Sequence, residues 1–174
     1  RQAVIDATAH SKITDRMELD LPEGVKLPDI DLESYKEEID KINFDQMIKL
    51  GMELEQIALS QDKKIVNVPF LGVSKSSGRS VIQNSKGVSY SKQSNAVSAG
   101  LGVVAKDGDS SKMGVYSNGG RSYSIFNTDF MSKKAVERAL ELLGAEPVES
   151  KQYPVVFSNR VSSSIIGMFL APYY

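Results

Sequence analysis

The chain has 174 residues, with 21 Lys and Arg against 22 Asp and Glu, a net charge of −1 and no cysteine. That length is enough for one domain with a sizeable core. The balanced charge lacks the basic stripe of a general nucleic-acid binder, the missing cysteines exclude a disulfide framework or a cysteine-type metal site, and no apolar run approaches the roughly 18 residues of a membrane span.

The chain opens on Arg1, with no Met and no visible signal peptide, and closes on Tyr173-Tyr174 at the end of an apolar segment. An apolar end without a polar tail predicts an internal fragment of a longer protein. Residues 2 to about 12 read as the end of a helix, with Ala3, Val4, Ala7 and Ala9 on a narrow apolar side. His10 is the single histidine and has no candidate co-ligand nearby in sequence, so it reads as a helix-end side chain near the negative end of the dipole. Residues 13–34 are predicted as a loop, punctuated by Pro22, Gly24 and Pro28 and crowded by Asp15, Glu18, Asp20, Glu23, Asp29 and Asp31. The calcium-loop spacing D-x-[DN]-x-[DN]-G is absent, so the stretch reads as a solvated acidic linker and the best candidate for mobility.

A short helix is expected over 31–42. A longer one follows at 44–60, with Asn43 as its cap and Phe44, Met47, Ile48, Leu54, Ile57 and Ala58 as a stripe at helical spacing. Met47 and Met52 read as core filling rather than a cofactor box. Gln61 to Lys64 closes that helix.

From Ile65 to Phe130 charge thins and Ser, Gly, Val and Tyr dominate. Ile65–Val68, a weakly alternating Val73–Val81, a strictly alternating Val88–Lys92, the more buried Ala96–Ala105, Lys112–Tyr116 and Tyr123–Phe126 read as strands. Asn84-Ser85-Lys86-Gly87, Lys106-Asp107-Gly108-Asp109 and Asn118-Gly119-Gly120 read as turns. Together they predict an antiparallel meander of four or five strands. One face is rich in Ser and small residues; it could accept an extended peptide at an edge strand, but an ordinary solvated face is the favoured reading. Gly100-Leu101-Gly102 lies inside a strand pattern and lacks the remaining features of a nucleotide loop.

Residues 129–143 are the best helix, with Thr128 or Ser132 as cap, Ala135, Val136, Ala139, Leu140 and Leu143 as core stripe, and Gly144 then Pro147 as the stop. Tyr153-Pro154-Val155-Val156-Phe157 reads as a short buried strand and Ser158-Asn159 as a helix start. Val161, Ile165, Met168 and Phe169 then recur at helical spacing. No catalytic constellation stands out. G-x-S-x-G is absent, Ser162-Ser163-Ser164 has no base, and Glu137 and Glu141 read as a solvated pair screened by Arg138.

The order strand, Ser-Asn turn, apolar helix, preceded by Ala135-Val136-Glu137-Arg138-Ala139-Leu140-Glu141-Leu142-Leu143-Gly144-Ala145, resembles the PmbA/TldD family, also labelled modulator of DNA gyrase. The catalytic branch of that family carries an HExxxH zinc motif on the helix after this strand. Here Gly167 stands at the first His, Met168 at the Glu and Pro172 at the second His. Gly and Pro side chains have no donor atom, and a thioether is a poor zinc ligand. The resemblance therefore implies the non-catalytic PmbA (TldE) branch, with no catalytic, cofactor or metal residue of its own.

The predicted elements make an α+β fold, an antiparallel sheet at about 65–130 packed with helices before and after, which is similar to that family's N-terminal domain. Residues 1–14 would end the first region, 15–34 form the acidic loop, 35–147 the middle region and 152–174 the truncated start of the third. The resemblance further implies a cytoplasmic heterodimer with a TldD-like catalytic subunit that holds the zinc. The complex would act on an extended peptide or unfolded protein, with no direct nucleic-acid contact and no membrane. Two alternatives stay open: an active metallopeptidase with ligands outside this stretch, and a non-proteolytic binding protein acting on gyrase or a toxin–antitoxin system.

Overall fold

The computed structural model describes residues 1–13, 20–25 and 30–173. It comprises two units, Arg1–Leu143 and Gly144–Tyr174. The first contains α1 (Gln2–His10), α2 (Glu37–Lys41), α3 (Phe44–Gln61), β1 (Ile65–Gln83), β2 (Ser89–Asp107), β3 (Ser110–Gly120), a 3-10 turn at Tyr123–Ile125 and α4 (Thr128–Glu141). The fold is α+β, as expected from the sequence, with one antiparallel sheet in the order β1-β2-β3.

The sheet has three long strands among the described residues, not four or five shorter ones. Ile65–Val68 and Val73–Val81 are one strand, carried through register irregularities between Ile65 and Phe70, where Pro69 can give no ladder hydrogen bond. Asn118-Gly119-Gly120 is not a turn: these residues pair with Val97–Ala99 and neither glycine takes a positive φ. The connections that do turn use glycine in that way, Gly87 at φ 87° after β1 and Gly108 at φ 56° after β2. Tyr123–Ile125 forms a helical turn instead of a strand.

β1 and β2 span 19 residues each, about 60 Å at strand rise. β3 has 11 residues and ends opposite Val97. Beyond that point β1 and β2 continue alone, from Ser76 opposite Ala96 to Gln83 opposite Ser89, as a two-stranded arm.

The main core lies under the three-stranded part. Ala99, Leu101, Val103 and Ala105 of β2 face Leu50, Leu54 and Ala58 of α3 and Met131, Ala135, Val136 and Ala139 of α4. Every second residue of β2 points to the helices, which is the period that a half-buried strand requires. Gly114 is needed where α4 crosses β3: a Cβ there would lie 2.2 Å from the Ala135 carbonyl oxygen and 2.3 Å from the Ala139 nitrogen. A smaller cluster joins Ile39 and Ile42 to Val97.

Asn43 caps α3 as predicted, in a reciprocal box with Gln46 at 2.9 Å in both directions. Asn127, not Thr128 or Ser132, caps α4 by accepting from the Phe130 N–H. Ser132 is instead fully buried and donates to the Leu54 carbonyl at 2.9 Å, linking the two main helices. The expected stripe of α3 holds at Leu54 and Ala58, with Met47 and Ile57 half-buried, but not at Phe44 and Ile48. Leu50, Gly51, Leu54 and Ala58 are buried, Met47 is half-buried, and Phe44, Ile48 and Met52 are exposed. Met52 therefore does not fill the core.

The helix expected over 31–42 shrinks to Glu37–Lys41. The Asp31 carboxylate accepts from the Glu33 N–H in a local turn, Glu33 takes φ 46°, and Ser34 and Lys36 bond to β2 instead. Pro28 and the acidic residues Asp15, Glu18 and Asp29 lie outside the described residues. α1 buries none of its side chains, the expected apolar ones included, and His10 stands exposed in its last turn. No described helix is long and apolar enough to cross a membrane.

In the second unit, α5 runs from Asn159 to Leu170 and tightens into a 3-10 turn at Ala171–Tyr173. Residues 153–157 do not form a strand, because no strand among the described residues pairs with them. Gly144 at the start of this unit takes φ 71°, as expected of a helix stop.

Candidate functional site

The resemblance singled out α5. The helix begins as the sequence suggests, with Ser158 accepting from the Val161 N–H. Its serines serve the helix itself: Ser163 donates to the Asn159 carbonyl at 2.9 Å and Ser164 to the Arg160 carbonyl at 3.2 Å. Gly167 lies in the last turns, with open space where a side chain would project. Met168 follows it and is 78% exposed. Pro172 falls in the 3-10 turn after the helix has ended, as its missing N–H would dictate. These three side chains offer zinc a single thioether, so they do not fit the metal of an HExxxH site. Among the described residues, no group of three His, Cys, Asp or Glu side chains gathers as metal ligands would.

The Ser-rich face expected from the sequence is the side of the sheet turned away from α3 and α4. It forms an open trough of about 540 Å³ lined by Phe70, Gly72, Ser74, Ser98, Gly100, Ser117 and Gly119, among others. The rows follow from the register: Ser74 opposite Ser98 opposite Gly119, then Gly72 opposite Gly100 opposite Ser117. The Ser74 and Ser98 hydroxyls bond each other at 2.8 Å. No titratable side chain among the described residues lines the trough. It has the shape to receive a chain but no acid or base with which to act on one. Gly100 and Gly102 lie within β2 on this face, flanked by β1 and β3 rather than by a helix start.

Titratable groups with shifted affinities serve structure. Asp40 is held below the usual carboxylate range by the Tyr35 hydroxyl at 2.7 Å, and then by the Asn95 amide at 3.1 Å. Glu137 is held low by Lys134 at 2.6 Å. Tyr123 is raised by burial; its hydroxyl donates to the Gln46 carbonyl at 2.9 Å. Arg138 does not screen Glu137 and Glu141. It reaches the sheet, donates to the Val115 carbonyl and lies 5.1 Å over the Tyr116 ring. That role was hidden in the sequence, where Arg138 is simply a cation between two acids.

Comparison with known proteins converges on one family. The family model described as PmbA/TldA metallopeptidase central domain matches residues 37–143. Metalloprotease PmbA of Escherichia coli O157:H7 is 27% identical over 141 residues, covering 80% of this chain and 30% of that protein. The PmbA homolog of Buchnera aphidicola is 27% identical over 123 residues, covering 70% of this chain and 28% of that protein. The chain thus spans less than a third of the length of these relatives. Among solved structures, a protein of Thermotoga maritima described as a modulator of a DNA gyrase superposes with a TM-score of 0.73 at 19% identity, over 86% of this chain and 34% of its own. TldE of Thermococcus kodakarensis superposes with a TM-score of 0.69 at 18% identity, over 80% of this chain and 31% of its own. With the central-domain model matching well over half of its residues, this chain belongs to the PmbA/TldD family.

Proposed function

We propose that the chain is part of a PmbA/TldE-like subunit of a TldD/TldE-type zinc metalloprotease complex that acts on peptides or unfolded polypeptides. The subunit itself lacks the HExxxH zinc site. A TldD-like partner holds the zinc and supplies the metal-activated water, and this subunit completes the dimer and helps enclose an extended substrate in the cytoplasm. It touches neither nucleic acid nor membrane. On this reading residues 1–14 end the first region, 35–147 make the middle region, and 152–174 open the third.

The observation that carries the reading is the occupancy of the motif positions. Gly167, Met168 and Pro172 leave neither two ligands nor a base. The trough without titratable groups supports it, as a surface able to receive a chain but not to cleave it. A second reading draws on the names and lengths of the relatives: two called metalloprotease PmbA or a homolog of it are more than three times as long as their matched part. The whole protein would then be an active metallopeptidase with ligands elsewhere.

Zinc content and peptidase activity of the whole protein, alone and after co-purification with a TldD-like partner, separate the two. Zinc and activity only in the mixture support the non-catalytic subunit. One zinc per chain and activity in the protein alone overturn it. An inert mixture points to a non-proteolytic binding protein and also overturns it.

A further inference from the structure

The charges of this chain are segregated. Between Lys63 and Lys106 there is no Asp or Glu, while Lys75, Arg79, Lys86 and Lys92 fall on the arm or at its root. Residues 20–40 are the reverse, with Asp20, Glu23, Asp29, Asp31, Glu33, Glu37, Glu38 and Asp40 against Lys26 and Lys36. Two blocks of opposite sign in a chain of net charge −1 are built to meet complementary charge.

The arm also offers backbone. β3 stops opposite Val97, so the outer edge of β2 from Asn95 back to Ser89 lies past its reach. The chain's own acidic stretch sits there. The Asn95 N–H donates to the Ser34 carbonyl at 3.1 Å, and the Ser34 hydroxyl donates to the Gln93 carbonyl at 2.8 Å. The buried Asn95 side chain brackets Lys36, accepting from its N–H at 2.9 Å and donating to its carbonyl at 2.7 Å. At the tip, the Gly24 N–H donates to the Lys86 carbonyl at 2.9 Å, the Asn84 amide donates to the Pro22 carbonyl at 2.8 Å, and Lys86 pairs with Asp20 at 3.0 Å. Arg79 lies opposite Gln93 and Lys92 opposite Ser80, on the two faces of the arm. Among the described residues neither pairs with a carboxylate.

We propose that the β1–β2 arm is a docking site for an extended acidic polypeptide, which runs along the β2 edge between Ser89 and Asn95 and pairs with Arg79, Lys86 and Lys92. Residues 34–36 of this chain occupy part of that edge, and residues 20–24 occupy the tip at Asn84 and Lys86. Two of the bonds already made there, Asn95 N–H to the Ser34 carbonyl and Gly24 N–H to the Lys86 carbonyl, are backbone N–H to carbonyl, which a peptide repeats and a polynucleotide cannot. The cations lie on both faces and at the tip rather than in one stripe, which suits a strand whose side chains alternate. This site does not rest on the reading of the zinc motif, and it is tested by binding rather than by activity.

Gly24 supplies the test. A Cβ there would lie 2.3 Å from the Gly87 carbonyl oxygen, so Gly24→Ala forces residues 20–24 and the tip apart while substituting no residue of the arm. The probe is fluorescein-labelled decaglutamate, read by anisotropy, with a Gly-Ser peptide of equal length as the neutral control. Gly24→Ala is expected to bind decaglutamate about tenfold tighter than the parent chain, because residues 20–24 no longer cover Lys86 at the tip while residues 34–36 remain on the edge. The gain is expected to fade with added salt and to vanish in the further variant Arg79→Gln/Lys92→Gln, whose circular dichroism stays that of the parent. Equal affinity in the parent chain and Gly24→Ala overturns the proposal. So does retained affinity in the double variant, or a short DNA duplex binding Gly24→Ala as tightly as decaglutamate does.

Discussion

The two halves of the long β1–β2 hairpin are made of the same two strands, yet they answer to different forces. In the half next to β3, Leu101 and Val103 are fully buried and the packing of α3 and α4 holds the register. In the arm, Val81 and Ile82 are more than half exposed, and the short α2 touches it only near its root, where Asp40 meets Ser77 and Asn95. A two-stranded ribbon is marginal by itself in water. What accompanies the arm is polar: Ser34, Lys36 and Asp40 bonded to Gln93 and Asn95, and Asp20 to Gly24 bonded to the tip. One half is held by burial and the other by hydrogen bonds and charge.

The comparison breaks most visibly under truncation. Leu101→Ala is expected to cost about 2–5 kcal/mol in urea unfolding, because it opens a cavity between β2 and the helices. Ile82→Ala on the arm is expected to stay within about 0.5 kcal/mol. Equal costs would mean that the arm is packed as the base is.

Asn95→Ala comes next. It strips the Lys36 N–H and carbonyl of their partners at a buried position and is expected to cost about 1–3 kcal/mol. Hydrogen exchange should quicken at residues 34–40 and stay slow at Leu101 and Val103. Uniform quickening would show that base and arm unfold together.

The smallest effect concerns acid. The folded Asp40 is held below its ordinary value, so its contribution is present above the usual carboxylate range and is lost as pH falls through the folded value. Asp40→Asn should therefore narrow the drop in melting temperature between neutral pH and about pH 3. An unchanged drop would remove Asp40 from the latch between α2 and the arm.

Much of this fold is legible residue by residue. Asn43 with Gln46 announces the start of α3, Gly144 the stop after α4, and Gly87 and Gly108 the two hairpin turns, because each depends on local backbone chemistry alone. The alternation of Ala99 to Ala105 announces a half-buried strand for the same reason. The misreadings share the opposite cause. Asn118-Gly119-Gly120 has the composition of a turn, but these residues pair with β2, where Gly119 lies close against Ser98. Tyr153–Phe157 has strand composition, but no strand among the described residues pairs with it.

At the candidate sites the division is similar. The identities at Gly167, Met168 and Pro172 are sequence facts, and the chemistry they exclude follows from the atoms those side chains lack. The excess of carboxylates before residue 40 and their absence between Lys63 and Lys106 are written in the chain as well. That the first block sits on the second, that β3 ends short of the arm, and that Ser132 and Arg138 tie helices to their neighbours were decided only by tertiary structure. Each of these depends on residues 23 to 78 positions apart being brought together by the burial of a common core, and no local pattern encodes which of them will meet.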